Sequence, residues 1–162
     1  MKKSTKKSKT PGLQVEEPAL AYNRRVAGMP EVHQILGIAA DDLMNGISRV
    51  GIFRRGLTKA AFNNLKETTG LDTETLARAL AISSKTIQRT EVFDAVQSER
   101  MYLLADLYAD GINYFGLEDF RNWMNRPLFT LGSIRPVELL DTTEGIRLIK
   151  SEIHRVQHGI AV

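Results

Sequence analysis

The sequence predicts an all-α chain, and three observations predict it. Apolar residues recur at helical spacing, as in Leu103, Leu104, Leu107, Tyr108 and Ile112. Such segments lie between helix-starting residues and glycine or proline stops, as with Thr58 and Gly70. No convincing strand pattern interrupts them, and no internal repeat is visible.

Residues 1–20 read as a disordered, lysine-rich tail with Pro11-Gly12 and Pro18 as breakers. Residues 21–94 form an N-terminal helical region. Pro30 starts a short helix that Gly37 ends. Residues 41–56 predict one short helix, with Asp41 as a possible cap and Gly46, Gly51 and Gly56 as punctuation. Thr58 caps the next helix, and Gly70 closes it. Asp72 caps a helix whose Leu76, Ala77 and Leu80 share a face, and Ser83 caps a short third one. Residues 95–162 form a C-terminal helical unit. A long helix runs from about Val96 to Tyr114 with Gly116 at its end, and a shorter one holds Trp123. The segment from Arg126 to Leu140 reads as a loop, with one turn started by Pro136. Asp141 and Glu144 predict a capping box for a final helix whose Ile146, Ile149, Ile153 and Val156 share a face, and Gly159 stops it.

Length and composition exclude several classes. A chain of 162 residues suits one domain or two small ones, with enough mass to bury a core. Hydrophobic content of 43% and charged content of 25% are those of a soluble globular protein. No cysteine is present, which excludes a disulfide framework, a thiolate nucleophile and a cysteine-based zinc site. No apolar run approaches a membrane span. Lys2 to Lys9 resembles the charged start of a signal peptide, but no apolar core follows. The expected location is the cytoplasm, at the nucleoid when the chain is bound to DNA.

The net charge of +3 is unevenly placed. Five lysines stand before residue 10, so the rest of the chain is net acidic. The tail is either a solvated end or a non-specific grip on phosphate. A second basic stretch holds Arg49, Arg54, Arg55, Lys59 and Lys66 with no acid between Leu43 and Lys66. It is either a solvated face or a clamp on backbone phosphate.

The run "LARALAISSKTIQRT" has the makings of a DNA-reading element. Ala77 supplies the small residue where a second helix crosses the first, and Leu80-Ala81-Ile82 fits the short apolar turn. Ser83 and Ser84 put hydroxyls at the start of the second helix. Lys85, Thr86, Gln88 and Arg89 point polar groups outward while Ile87 faces the core. Arginine pairs with guanine and glutamine with adenine. Spacing alone leaves a plain helical hairpin as the alternative. The predicted helix-turn-helix spans about residues 72–90, with Arg54, Arg55 and Lys59 as candidate phosphate contacts.

Catalytic constellations are not evident. His154 and His158 share a helix face, but zinc needs a third protein ligand, and the nearest acid, Glu152, points elsewhere. The acidic stretch from Asp106 to Asp119 reads as a solvated face or a patch for a basic partner. Trp123, among Phe120 and Met124, reads as core. No metal, cofactor or catalytic site is predicted.

From about Gly56 onward the chain resembles the Xre/MbcA/ParS antitoxins. The resemblance rests on "GLTKAAFNNL", "LARALAISSKTIQR" and "WMNRPLFTLGSIRPVELLDTTEGIRLIKSEIHRVQHG". Many family members carry two basic residues at the end of the recognition helix, where this chain has Arg89-Thr90. Many also carry a Gly-Gly-Arg-x-Pro loop, where this chain has Gly132-Ser133-Ile134-Arg135-Pro136. The resemblance implies an all-α homodimer: an Xre-like helix-turn-helix that represses its own operon, then a C-terminal domain for dimerisation and toxin binding. The implied partners are operator double-stranded DNA and a protein toxin, commonly of the RES type, which degrades NAD. It also implies toxin contacts at Arg135, Arg147, Lys150, His154, Arg155, His158 and Gly159, with the last helix and tail as the plug of an anionic dinucleotide site. A stand-alone Xre-like regulator without a toxin is the alternative.

Overall fold

The computed structural model describes residues 30–159. The predicted disordered tail lies outside the described residues. Within them the chain forms eight α-helices: α1 (Val32–Leu36), α2 (Gly46–Arg55), α3 (Lys59–Thr69), α4 (Thr73–Ala79), α5 (Ser84–Arg89), α6 (Ala95–Phe115), α7 (Leu117–Met124) and α8 (Thr143–Gln157). Three 3-10 turns (Ala40–Leu43, Phe129–Leu131, Pro136–Leu139) complete them. The only β-type pairings among the described residues are two isolated bridges, Thr58 with Val92 and Leu128 with Ile134. No helix among the described residues is long and apolar enough to cross a membrane.

Sequence-local chemistry sets most of the helix starts. Asn45, Thr58, Asp72, Ser83 and Asp94 each accept a hydrogen bond from a backbone N–H three residues on. Gly37 and Gly70 end α1 and α3 in the left-handed conformation. Residues 41–56 differ from the expectation of one helix capped by Asp41. They divide into a 3-10 turn and α2, because Asn45 Oδ1 takes the Ser48 N–H at 2.9 Å and restarts the chain there. Gly56 then lets the backbone turn at φ +87°. A Cβ at Gly56 would lie 2.3 Å from the Phe93 carbonyl oxygen.

That close approach stitches the start of α3 to the segment after α5. Phe93 N–H donates to the Leu57 carbonyl at 2.8 Å, and Lys59 N–H to the Glu91 carbonyl at 2.7 Å. The buried Ser98 hydroxyl accepts from Leu57 N–H at 2.8 Å and donates to the Phe93 carbonyl at 3.2 Å.

Helix α6 is the spine. Its Met101, Leu104, Leu107 and Tyr108 are buried, and α1, α2, α3, α7 and α8 all pack on it. Trp123 is core, as expected, stacked on Phe115 and Phe120 with ring centroids 5.4 and 5.7 Å away. Two arginines tie the N-terminal helices to the C-terminal ones. The Arg121 guanidinium of α7 donates to the Glu67 and Thr68 carbonyls at the end of α3, both at 2.9 Å. The Arg100 guanidinium of α6 donates to the Ala79 carbonyl at 2.9 Å and the Asp141 carbonyl at 3.2 Å.

The last helix corrects two expectations. Its cap is Thr142, not Asp141: the Thr142 hydroxyl accepts from Gly145 N–H at 3.0 Å. Val156 is 37% exposed and leaves the buried face formed by Ile146, Ile149 and Ile153. The acidic stretch is also reassigned in part. Asp106 and Asp110 both hold the half-buried Lys150 of α8, Asp110 at 2.9 Å, so they fasten α8 to α6.

Asp72 gives a test of the helix-turn-helix scaffold. Its carboxylate accepts from Thr75 N–H at 2.8 Å and from the Thr75 hydroxyl at 2.9 Å. Those bonds hold its pKa below the ordinary value of 3.8. A depressed folded-state pKa means that the stabilisation is present above the unfolded value and lost as pH falls through the folded one. Asp72→Ala is expected to lower stability by about 1 kcal/mol at neutral pH. Urea melts should show the gap closing as the pH drops below the ordinary Asp range. A gap unchanged in acid would contradict an ionised cap.

Candidate DNA-reading helix and toxin-binding face

The helix-turn-helix forms as the sequence pattern requires. Ala77, Leu80 and Ile87 are buried together. In the turn, Ala81 N–H donates to the Arg78 carbonyl and Ile82 N–H to the Ala77 carbonyl, both at 3.0 Å. Ala81 adopts φ +55°, a left-handed conformation that costs a non-glycine residue about 1 kcal/mol.

Helix α5 sorts its predicted DNA contacts into two groups. Ser83 and Thr86 are occupied inside the chain: the Ser83 hydroxyl accepts from Thr86 N–H at 3.0 Å and pairs with the Thr86 hydroxyl at 2.8 Å. Ser84 is half-buried. Lys85, Gln88 and Arg89 are exposed, and their side chains make no polar contact among the described residues. They form a solvent-facing, net positive surface on a helix fixed from behind by Ile87.

The basic stretch before the motif is less uniform. The Lys59 ammonium donates to the Ile87 carbonyl and lies 5.4 Å from the Phe62 ring centroid, so it positions α5 from the core side. Arg55 pairs with Asp42 at 2.7 Å. Arg54 is exposed and unpaired among the described residues.

The predicted toxin contacts divide in the same way. Arg135 pairs with Glu138, Arg147 with Glu144 (Nε to Oε2 2.8 Å) and Arg155 with Glu152 at 2.7 Å. The Arg147 hydrogen bond holds the Glu144 carboxyl below its usual range. Burial opposes the charge on Lys150, but its hydrogen bonds to Asp106 and Asp110 outweigh it and raise the pKa of the ammonium. His154 stands 3.8 Å from Asp110. Most of these cations are therefore matched within the chain. His158 and Gly159 are exposed at the end of α8, Gly159 at φ +66°.

A different feature stands out on this side. Phe129 is 87% exposed at the tip of the 128–134 loop. The loop is rigidly built: Leu128 N–H donates to the Ile134 carbonyl, and Ser133 N–H to the Leu128 carbonyl at 2.9 Å. Ser133 holds φ +62° where many family members have glycine, so the turn keeps that shape at some backbone strain. The Thr130 hydroxyl donates to Glu152 Oε1 at 2.7 Å, and the same oxygen accepts from Arg155. That bond sets the loop on the outer face of α8. Leu148 and Val156 flank Glu152 by one turn each and are 41% and 37% exposed. Phe129 on the loop and Leu148 and Val156 on α8 are thus the exposed apolar residues around the Thr130–Glu152 bond, among charged neighbours. Sequence reasoning missed the exposed Phe129, because a phenylalanine between Leu128 and Leu131 gives no sign of which of the three faces outward.

The two halves of this geometry match two family models. Residues 48–106 match the antitoxin Xre-like helix-turn-helix domain. Residues 111–159 match the antitoxin Xre/MbcA/ParS C-terminal toxin-binding domain. Among curated proteins, the chain is 24% identical over 127 residues to a "Prs ADP-ribosylating antitoxin" from Sphingobium sp. (strain YBL2), covering 70% of this chain and 80% of that protein. Together the two matched regions span most of residues 48–159, and the chain belongs to the Xre/MbcA/ParS antitoxins.

Proposed function

We propose that the chain neutralises a RES-type toxin that consumes NAD and represses its own operon as a homodimer. It acts by binding, and the chemistry belongs to its partner. The observation that carries the toxin half is the exposed Phe129 within the matched toxin-binding region. Interfaces draw most of their energy from a few desolvated aromatic anchors, and exposed ion pairs contribute little. Phe129 is the anchor, and Arg135, Arg147, Arg155 and His158 supply charged contacts.

The relative's name mentions ADP-ribosylation, which favours a second reading in which the system's chemistry is transfer of ADP-ribose from NAD rather than its degradation. Both reactions begin by breaking the bond to nicotinamide, and the antitoxin's task is the same in both.

For repression, the unpaired Lys85, Gln88 and Arg89 are the reading surface, and Arg54 contacts phosphate. A bidentate arginine–guanine pair discriminates by about 1–3 kcal/mol. Arg89→Ala should therefore weaken operator binding roughly ten- to hundredfold and leave toxin neutralisation intact. Equal gel-shift affinity for variant and wild type would remove Arg89 from the reading surface.

A further inference from the structure

We propose that Lys59 sets how well the chain tells its operator from other DNA, as a positioning residue that holds the end of the reading helix and does not itself touch phosphate. This rests on the repression reading above and names what fixes the reading surface.

Helix α5 is six residues long, Ser84–Arg89. A helix that short has little stability of its own, so its neighbours decide where its side chains point. The Ser83 cap holds its first turn, accepting from Thr86 N–H at 3.0 Å, and the buried Ile87 seats its middle. The last turn carries Gln88 and Arg89, both exposed, with side chains that make no polar contact among the described residues. Lys59 holds that turn from behind with two bonds. Its backbone N–H donates to the Glu91 carbonyl at 2.7 Å, and its ammonium donates to the Ile87 carbonyl. The two acceptors bracket Gln88 and Arg89, so a single residue grips the chain on both sides of them. The grip is itself anchored. Phe93 N–H donates to the Leu57 carbonyl at 2.8 Å, and both of those side chains are buried.

The charge of Lys59 fits this role. Lys59 is the first residue of α3, where the partial positive charge of a helix start disfavours a cation. At the end of α5 the partial charge is negative, and a cation there is favoured. The side chain is half-buried, with its ammonium 5.4 Å from the Phe62 ring centroid. A phosphate contact needs a cation that reaches solvent, and this one is committed to a carbonyl. Arg54, exposed and unpaired among the described residues, is the better grip on phosphate.

The test is titration of the full chain, across a range of salt, with two duplexes of equal length. One is taken from immediately upstream of this gene, and the other has the same composition in scrambled order. Each variant is assayed at a temperature where far-UV circular dichroism shows it folded. The wild type should prefer the upstream duplex by about a thousandfold or more. Lys59→Met, which keeps the stem over Phe62 and loses the donor, should cut that preference roughly tenfold by weakening the upstream duplex alone. Its affinity for the scrambled duplex and its salt slope should match the wild type. Lys59→Arg, which keeps a charged donor, should retain the preference. In an Arg89→Ala background Lys59→Met should cost little more, because the contact it serves is already gone. A wild type without preference overturns the repression reading and this proposal together. A salt slope shallower by about 0.9, with both duplexes weakened alike, makes Lys59 a phosphate contact and overturns the proposal alone. An undiminished preference in Lys59→Met does the same.

Discussion

Phe129→Ala is expected to weaken toxin capture by about 2 kcal/mol, roughly thirtyfold in dissociation constant, while the melting temperature stays the same. The split between the two readouts follows from exposure. A ring that is 87% exposed has little packing to lose in the free chain. Its presentation is fixed before binding by the Leu128–Ile134 pairing and by Thr130 on Glu152, so little ordering cost falls due when a partner arrives. Removing the ring deletes the largest apolar surface on that face and leaves its supports in place. Isothermal titration against the purified toxin reads the first quantity, and a thermal melt the second. An unchanged affinity would return the interface to the paired cations of α8.

Gly145→Ala is expected to destabilise the C-terminal region by about 2 kcal/mol, although alanine is the better helix former by about 1 kcal/mol. The reason is steric. Gly145 sits in the first turn of α8, where the 3-10 turn Pro136–Leu139 crosses it. A Cβ there would lie 1.9 Å from the Leu139 carbonyl oxygen and 2.8 Å from its carbon. Backbone cannot swing aside as a side chain can, so the turn and the helix must separate. The buried Leu140 and Ile146 lie in that junction. Denaturant unfolding should show a lower midpoint for the variant. A higher midpoint would mean that the crossing is looser than the structure shows.

Much of this fold was legible in the sequence because the signals are local. Thr58, Asp72 and Ser83 cap where their side chains predict, and Gly37, Gly70 and Gly116 mark helix ends. What misled was competition between neighbours. Asp141 and Thr142 are both good caps. Thr142 takes the role because its hydroxyl meets Gly145 N–H, while the Asp141 carbonyl is held by Arg100. Asn45 displaced Asp41 in the same way.

The candidate sites were legible in kind and less so in detail. The recognition helix could be placed from Ala77, the apolar turn and Ile87. That Lys59 would cap the Ile87 carbonyl, or that Asp106 and Asp110 would hold Lys150, depends on helices far apart in the chain meeting in space. Charge type alone does not tell a free cation from a paired one. The exposed apolar side chains Phe129 and Ile47 were illegible for the opposite reason: exposure of an apolar residue is a tertiary property that spacing along the chain does not give.

The most direct test is cellular NAD after induction of any open reading frame that adjoins this gene and resembles a RES-type toxin, with and without this chain. Expressed alone, that frame should deplete NAD and arrest growth. Co-expression of the chain should restore both, and the Phe129→Ala variant should restore them only at higher dose. NAD that stays level when the neighbour is expressed alone, or that falls equally in the presence of the chain, would contradict the claim that this protein neutralises an NAD-consuming toxin.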